Sequence, residues 1–208
     1  MKIFSSALFG PVQYFTHLAS VDEAIIETDC NYSRQTYRNR FVILGANGVI
    51  PLTVPVEKVH NKKTVTRDVK IAYDTPWQDL QWKSIVSAYN SSPYFLYYRD
   101  EFEPIFQKKW KYLLDLNMAS TELAKECIDI DTKLVTTKDY YSPSTTDIDL
   151  RDLIHPKRKS ETDLSFQPSP YRQVFNLGGE FIPNLSIIDL IFNKGPEALL
   201  ILRDSLVT

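Results

Sequence analysis

The densest run of groups able to hold an anion is Tyr32-Ser33-Arg34-Gln35-Thr36-Tyr37-Arg38-Asn39-Arg40. Read as a β-strand, it puts Arg34, Thr36, Arg38 and Arg40 on one face and Gln35, Tyr37 and Asn39 on the other. Three guanidinium groups on one face suit a phosphate or a carboxylate, because each donates a planar pair of hydrogen bonds. The competing reading is an edge strand guarded against aggregation by its charge. Asp29 stands just before the cluster, at the end of a predicted strand. The carboxyl ends of strands in open α/β sheets form the ligand crevice, so Asp29 is a candidate general base or metal ligand, with a turn cap as the alternative. His17 is expected on the same rim as a second candidate base, although a lone histidine more often serves structure. His155 lies beside Lys157, Arg158 and Lys159, a block that reads as a solvated loop or as a lid closing on an anion.

Other chemistry is missing from the pattern. With 6 glycines, the sequence contains no GxGxxG fingerprint and no P-loop. GxSxG and HExxH are absent as well. This argues against a standard Rossmann cofactor, and no cofactor or donor group is identified. Asp129-Ile130-Asp131 and Asp147-Ile148-Asp149 have the spacing of a metal-diphosphate DxD motif. Such tripeptides are frequent, and both are read as solvated carboxylates, with no metal assigned.

The elements that must position these residues follow from periodicity. Residues 2–9 read as a buried strand ended by Gly10-Pro11, Gln13 to Ala19 as a short helix, and residues 23–28 as a second strand. Arg34–Leu44 and Val49–Val56 read as a β-hairpin joined by Gly45-Ala46-Asn47-Gly48, with Asn-Gly favouring a type I′ turn. Another strand is expected over Thr64–Tyr73, after the polar loop Glu57–Lys63. From Pro76 the period becomes helical, with Leu80, Ile85, Val86 and Tyr89 on one face and Asn90-Ser91-Ser92-Pro93 as the stop. Phe95, Tyr98, Phe102, Phe106, Trp110 and Leu113 form an aromatic-rich stripe read as core, with Pro104 kinking the helix or starting a new one. Residues 120–127 read as helix and Lys133–Tyr140 as strand. Residues 141–170 lack periodicity and are expected to form a surface loop or lid. Ser186 to Asp189 resembles a capping box, and Gly195-Pro196 separates two short terminal helices.

The fold expected is therefore α/β: a mixed sheet with a β-hairpin insertion in the N-terminal half and helices in the middle and C-terminal parts. One domain spans 1–208, sheet-rich over about 1–75, helical over about 76–128, loop or lid over about 141–170, and helical again over about 184–204.

Composition narrows the function classes. Lys+Arg 24 against Asp+Glu 26 gives a net charge of -2, without the basic surplus of a phosphate-gripping nucleic-acid binder. Two cysteines, Cys30 and Cys127, are too few for a structural zinc or a disulfide framework and read as free thiols. No stretch approaches the roughly 20 apolar residues of a membrane span, and no signal peptide is visible. The expectation is a cytoplasmic protein binding a small anionic molecule, neither nucleic acid nor membrane; oligomeric state is not set by the sequence.

Several segments together resemble one family. Pro11-Val12-Gln13-Tyr14-Phe15, then Asp29, Tyr37-Arg38-Asn39-Arg40 and Leu52-Thr53-Val54-Pro55-Val56 are similar to the N-terminal signature of WbqC-like proteins. The likeness continues in Trp82-Lys83-Ser84-Ile85, Ser87-Ala88-Tyr89, Ser92-Pro93-Tyr94-Phe95, Leu116-Asn117 and the tail from Pro183 to Pro196, whose shape resembles a branch common in Bacteroidetes. Many relatives open with a Gln-Pro-x-Tyr-x-Pro motif, of which Phe9-Gly10-Pro11-Val12-Gln13-Tyr14 keeps only Pro and Tyr in approximate place. The resemblance implies a role in lipopolysaccharide O-antigen or exopolysaccharide synthesis. On that basis the expected function is a transferase acting on an activated sugar or glycan precursor, a sugar nucleotide being the suspected substrate. Arg34, Arg38 and Arg40 would hold its anionic group, Tyr14, Tyr37 and Asn39 would orient it, and Asp29 or His17 would act as base. The alternative is a non-catalytic binding or scaffold protein of a glycan assembly complex.

Overall fold

The structure, a computed structural model, describes residues 1–57, 64–175 and 179–207. Its element order is β1 (Lys2–Ser5), α1 (Val12–Leu18), β2 (Glu23–Glu27), β3 (Arg40–Gly45), β4 (Gly48–Thr53), α2 (Trp77–Tyr89), α3 (Phe95–Gln107), α4 (Leu113–Ile128), β5 (Lys133–Thr136), β6 (Ile148–Asp149), α5 (Ile187–Lys194) and α6 (Ala198–Asp204). A four-stranded parallel sheet has the order β5-β2-β1-β6, and β3 and β4 form a separate antiparallel hairpin. The α/β reading with a hairpin in the N-terminal half holds.

β1 is shorter than its apolar run suggests. It ends at Ser5, and Ser6 to Gly10 forms a buried turn around Phe9, which takes φ 40. That left-handed conformation is costly for a residue with a Cβ. It is held from several sides: Phe9 N–H donates to Ser120 Oγ at 3.2 Å, its carbonyl accepts from Ser186 Oγ at 2.7 Å, and its ring packs against Phe41, Phe102 and Phe106. The turn is thereby fixed at the carboxyl end of β1, one of the two inner strands.

The hairpin is present, but its turn differs from the expectation. Ala46 and Asn47 keep negative φ, and the positive φ falls on Gly48 at 118°. Arg34 to Asn39 are not part of β3. Gln35 adopts φ 59, Thr36 Oγ1 donates to the Ser33 carbonyl, and Arg38 N–H donates to Thr36 Oγ1, so local hydrogen bonds fold this stretch into turns. The expected strand over Thr64–Tyr73 is replaced by a short 3-10 turn at Thr66–Asp68 and isolated bridges at Val65, Lys70 and Ile71. Of the expected loop Glu57–Lys63, residues 58–63 lie outside the described residues.

The helices contribute much of the core. α2 buries Trp77, Gln81, Ile85, Ala88 and Tyr89, while Leu80 is 58% exposed, so the buried face is rotated from the one the spacing suggested. The aromatic stripe is core as read: Phe95, Tyr98, Phe102 and Phe106 are all buried. Pro104 neither breaks α3 nor opens a helix. It sits one turn before the end, and the carbonyl it leaves free belongs to the exposed Asp100. Gly195 takes φ 52 against the Tyr94 ring, where a Cβ would approach to 2.5 Å. Residues 141–170 supply β6 and bury Leu150, Ile154, Asp163 and Phe166.

Ser186 caps α5 by accepting from Ile188 N–H. Asp189 does not complete a capping box. Its carboxylate turns inward to accept from Tyr89 Oη at 2.9 Å, Tyr171 Oη at 2.6 Å and Gln173 Nε2 at 3.1 Å. Burial raises its pKa, against the pull of those three donors.

Candidate functional site: a recess at the carboxyl end of the sheet

In a parallel sheet the ends of the strands leave a crevice that side chains from the following loops can line. Here a recess opens at the carboxyl ends of β1 and β6. Phe4, Ser5 and Ala7 come from β1 and its turn, Tyr37 and Arg38 from the loop before β3, and Leu150, Ile154 and His155 from the segment after β6. Tyr14, carried by α1, completes the wall. The unfilled space is about 310 Å³ when the open solvent at the mouth is counted, but the enclosed part is very small. That is room for about one water.

Arg38 is the only residue of the expected arginine trio in this recess. Its side chain is 8% exposed. Nη2 donates to Ser5 Oγ at 2.7 Å and lies 3.2 Å from Cys30 Sγ, while Nε is buried with no partner. No acidic group forms an ion pair with it among the described residues. A buried guanidinium without a carboxylate is costly to keep, and buried polar groups left unsatisfied call for an explanation such as a bound ion or ligand. Tyr32 Oη is likewise buried and unpartnered, its pKa pushed up to about 12 by burial, with Arg38 and Arg34 pulling the other way. Burial also raises Tyr14, against the pull of Arg38, and pushes Tyr37 up to about 12. All three phenols are neutral hydrogen-bonding groups at physiological pH.

His155 stands at the same recess. Burial and then the Lys157 charge lower its pKa, so the ring is neutral near pH 7. Nδ1 accepts from Lys157 N–H at 3.1 Å, which assigns the ring proton to Nε2 and makes that atom a donor. Arg151 also lines the wall, but it is engaged. Nε and Nη2 hold Asp149 at 2.9 and 2.7 Å, and Nη1 lies 3.2 Å from Glu27 Oε2.

The remaining expected site residues lie elsewhere. Arg34 is exposed outside the recess. Asn39 Nδ2 donates to the Val54 carbonyl at 3.1 Å, bracing the hairpin, while its Oδ1 is buried without a partner among the described residues. Arg40 is the first residue of β3 and lines no part of the recess. Asp29 is ion-paired to Arg67 at 2.8 Å. His17 packs beside Lys2, at the start of β1 and thus the opposite end of the strand. Its Nε2 is 2.6 Å from Asp163 Oδ2, and Nδ1 is 3.1 Å from Lys2 Nζ. Ser5, Leu150 and Ile154 had no sequence signal, because the apolar run hid the end of β1 and residues 141–170 lack a period.

Asp147 accepts from Ser144 and the Met1 amine, Asp149 is held by Arg151, and no cluster of metal-ligating side chains occurs among the described residues. Cys30 and Cys127 are free thiols.

Residues 6–155 and 151–201 match the WbqC-like protein family, so the match includes the turn after β1, Arg38, the β6 segment, α5 and the first part of α6. The chain belongs to this family. It is 29% identical over 210 residues to the uncharacterized protein Rv1507c of Mycobacterium tuberculosis, covering 89% of each chain. No solved structure matches the chain. Among the described residues, no helix of this WbqC-like chain is long and apolar enough to cross a membrane.

Proposed function

We propose that this WbqC-like chain is a transferase that modifies an activated sugar or glycan precursor in O-antigen or exopolysaccharide synthesis. The observation that carries the reading is Arg38: buried, tied to Ser5 and, among the described residues, lacking a carboxylate partner at the carboxyl end of a parallel sheet. An anionic group of the substrate seats there, with Tyr37 and Tyr14 orienting it and His155 Nε2–H donating to an oxygen that gains charge. The recess is too narrow for a nucleoside, so the bulk of a sugar nucleotide lies at the mouth, towards the exposed Arg34, Lys157 and Arg158. Rate enhancement then comes from positioning and from donors already aimed at developing charge. Incubation with sugar nucleotides and acyl donors, followed by mass spectrometry, tests this. A modified sugar formed by the wild type and lost with Arg38→Met supports it; equal product from both removes Arg38 from the reaction.

A second reading, a non-catalytic binding or scaffold protein, draws support from α3. Leu96 and Tyr97 are 71% and 73% exposed there, and neither Asp29 nor His17 reaches the recess as a base. Co-purification of a glycosyltransferase that is lost with Tyr97→Glu but kept with Arg38→Met favours this reading over the first.

A further inference from the structure

We infer that a groove between β4 and α2 binds a neutral sugar through the Gln81 amide and the Trp77 indole N–H; this does not depend on the role of Arg38. Trp77, Leu80, Gln81 and Ser84 follow one another at intervals of three and four, so one face of α2 presents them all. Pro51 and Thr53 of β4, with Pro55 just beyond it, stand on the other side. The groove holds about 370 Å³, within the range of small-molecule sites, and shares no lining residue with the Arg38 recess.

Its polar groups call for a ligand. Trp77 and Gln81 are each 4% exposed, and Gln81 Oε1, Gln81 Nε2 and Trp77 Nε1 are buried without a partner among the described residues. A buried amide that makes no hydrogen bond is costly, and an apolar side chain would fill the place without that cost. The last torsion of a glutamine side chain is broad, so the amide turns into the groove with little strain.

The same groups set the ligand class. A primary amide accepts at one atom and donates at the other. Two neighbouring hydroxyls of a sugar ring match it: one donates to Oε1 and the other accepts from Nε2. The Trp77 N–H is left for a third oxygen. No charged side chain lines the groove, so an anion would find no counter-ion there. Pro51, Leu52, Pro55 and Leu80 supply apolar walls for the C–H face of the ring. A second basin, of about 490 Å³, shares Thr75 and Trp77 with the groove. In it the Tyr73 ring is 37% exposed and 6.0 Å from Trp77, and Asp74 and Asp79 offer acceptors to further hydroxyls, so a second sugar unit extends that way. A peptide strand fits less well. β4 has no strand on its outer edge, but Pro51 takes a backbone donor out of it.

Ligand-observed saturation-transfer NMR on the whole chain tests this with the methyl glycosides of glucose, galactose, mannose and N-acetylglucosamine. The expected result is a signal from at least one glycoside that Gln81→Leu weakens at least tenfold. Trp77→Phe keeps a ring but removes the N–H, should also weaken the signal, and supplies the reading if Gln81→Leu does not fold. Tetrahydropyran-2-methanol, a ring of the same size without neighbouring hydroxyls, should bind at least tenfold more weakly. An equal signal from it would reduce the groove to an apolar surface and overturn the assignment. So would silence from every glycoside, or a signal that neither variant changes; the reading of Arg38 survives both results. Loss in Arg38→Met but not in Gln81→Leu would move the sugar to the recess. If N-acetylleucinamide binds in a Gln81-dependent way and no glycoside does, the groove takes a peptide and the sugar class is wrong.

Discussion

Arg38 Nη2 donates to Ser5 Oγ at 2.7 Å, so this buried guanidinium of the recess is anchored to the last residue of β1, with no carboxylate partner among the described residues. A buried structural arginine is ordinarily paired with a carboxylate. Replacing an uncompensated buried charge by an apolar side chain of similar length is often neutral or stabilising. Arg38→Met is therefore expected to change unfolding stability by no more than about 1 kcal/mol, in either direction, while abolishing ligand-induced stabilisation, the pattern of a residue kept for function at the expense of stability. Denaturant melts of both proteins check this. A loss above about 2 kcal/mol would make Arg38 a structural residue.

His17 behaves differently, because it is enclosed between Lys2 and Asp163. Burial lowers its pKa more than the Asp163 hydrogen bond raises it. As pH falls through about 6.5 the unfolded chain takes up a proton that the folded chain resists, so stability declines from there down to the lowered folded value. Asp163 is itself lowered, by hydrogen bonds from Gln13 and His17 that outweigh its burial, and its contribution is lost only at more acid pH. Melting temperatures between pH 7 and 5 should fall for the wild type and fall less for His17→Gln. His155, also lowered, supplies part of the remaining slope. Parallel curves would contradict the assignment.

Much of this arrangement was legible in the residues, and the rest was hidden for identifiable reasons. The aromatic period of Phe95, Tyr98, Phe102 and Phe106 and the turn residues around Asn47 depend on local spacing, and both elements formed. Arg38 was visible as a candidate, but the argument from strand alternation failed, since Thr36 and Gln35 fold the stretch into turns before β3 begins. Arg34 and Arg40 consequently do not line the recess with Arg38. Thr64 to Tyr73 looked like a strand because Val65, Val69 and Ile71 are β-branched, yet most of its backbone pairs only through single bridges. His17 and Asp29 were placed on the rim by their rank in the chain; only tertiary contacts to Asp163 and Arg67 show that they are occupied.

Asp29 illustrates the consequence. Its ion pair with Arg67 is partly exposed, at 18% and 44% for the two side chains. Such pairs contribute about 0–1 kcal/mol. Asp29→Asn should cost less than about 1 kcal/mol and leave ligand binding at the recess unchanged in a titration. Loss of turnover in this variant without loss of binding would restore Asp29 as a base.

Asp189 should be far less tolerant. Three buried donors, from Tyr89, Tyr171 and Gln173, converge on its carboxylate. Asp189→Ala strands all three, and unsatisfied buried groups cost about 1–3 kcal/mol each, so a loss of at least about 3 kcal/mol is expected by chemical denaturation. Asp189→Asn, which keeps one acceptor oxygen, should lose less. Equal losses for the two would show that packing, not hydrogen bonding, sets the effect.

The central claim is that the recess around Arg38 is where this protein binds its ligand. Thermal denaturation of the wild type and Arg38→Met against activated sugars, short-chain acids and acyl donors tests it most directly. A ligand at a hundred times its Kd stabilises by about 2.7 kcal/mol, or roughly 5–10 °C for a chain of this size. The account predicts a shift of that order with an anionic ligand in the wild type and none in Arg38→Met. An equal shift in both proteins would place the binding site elsewhere and contradict it.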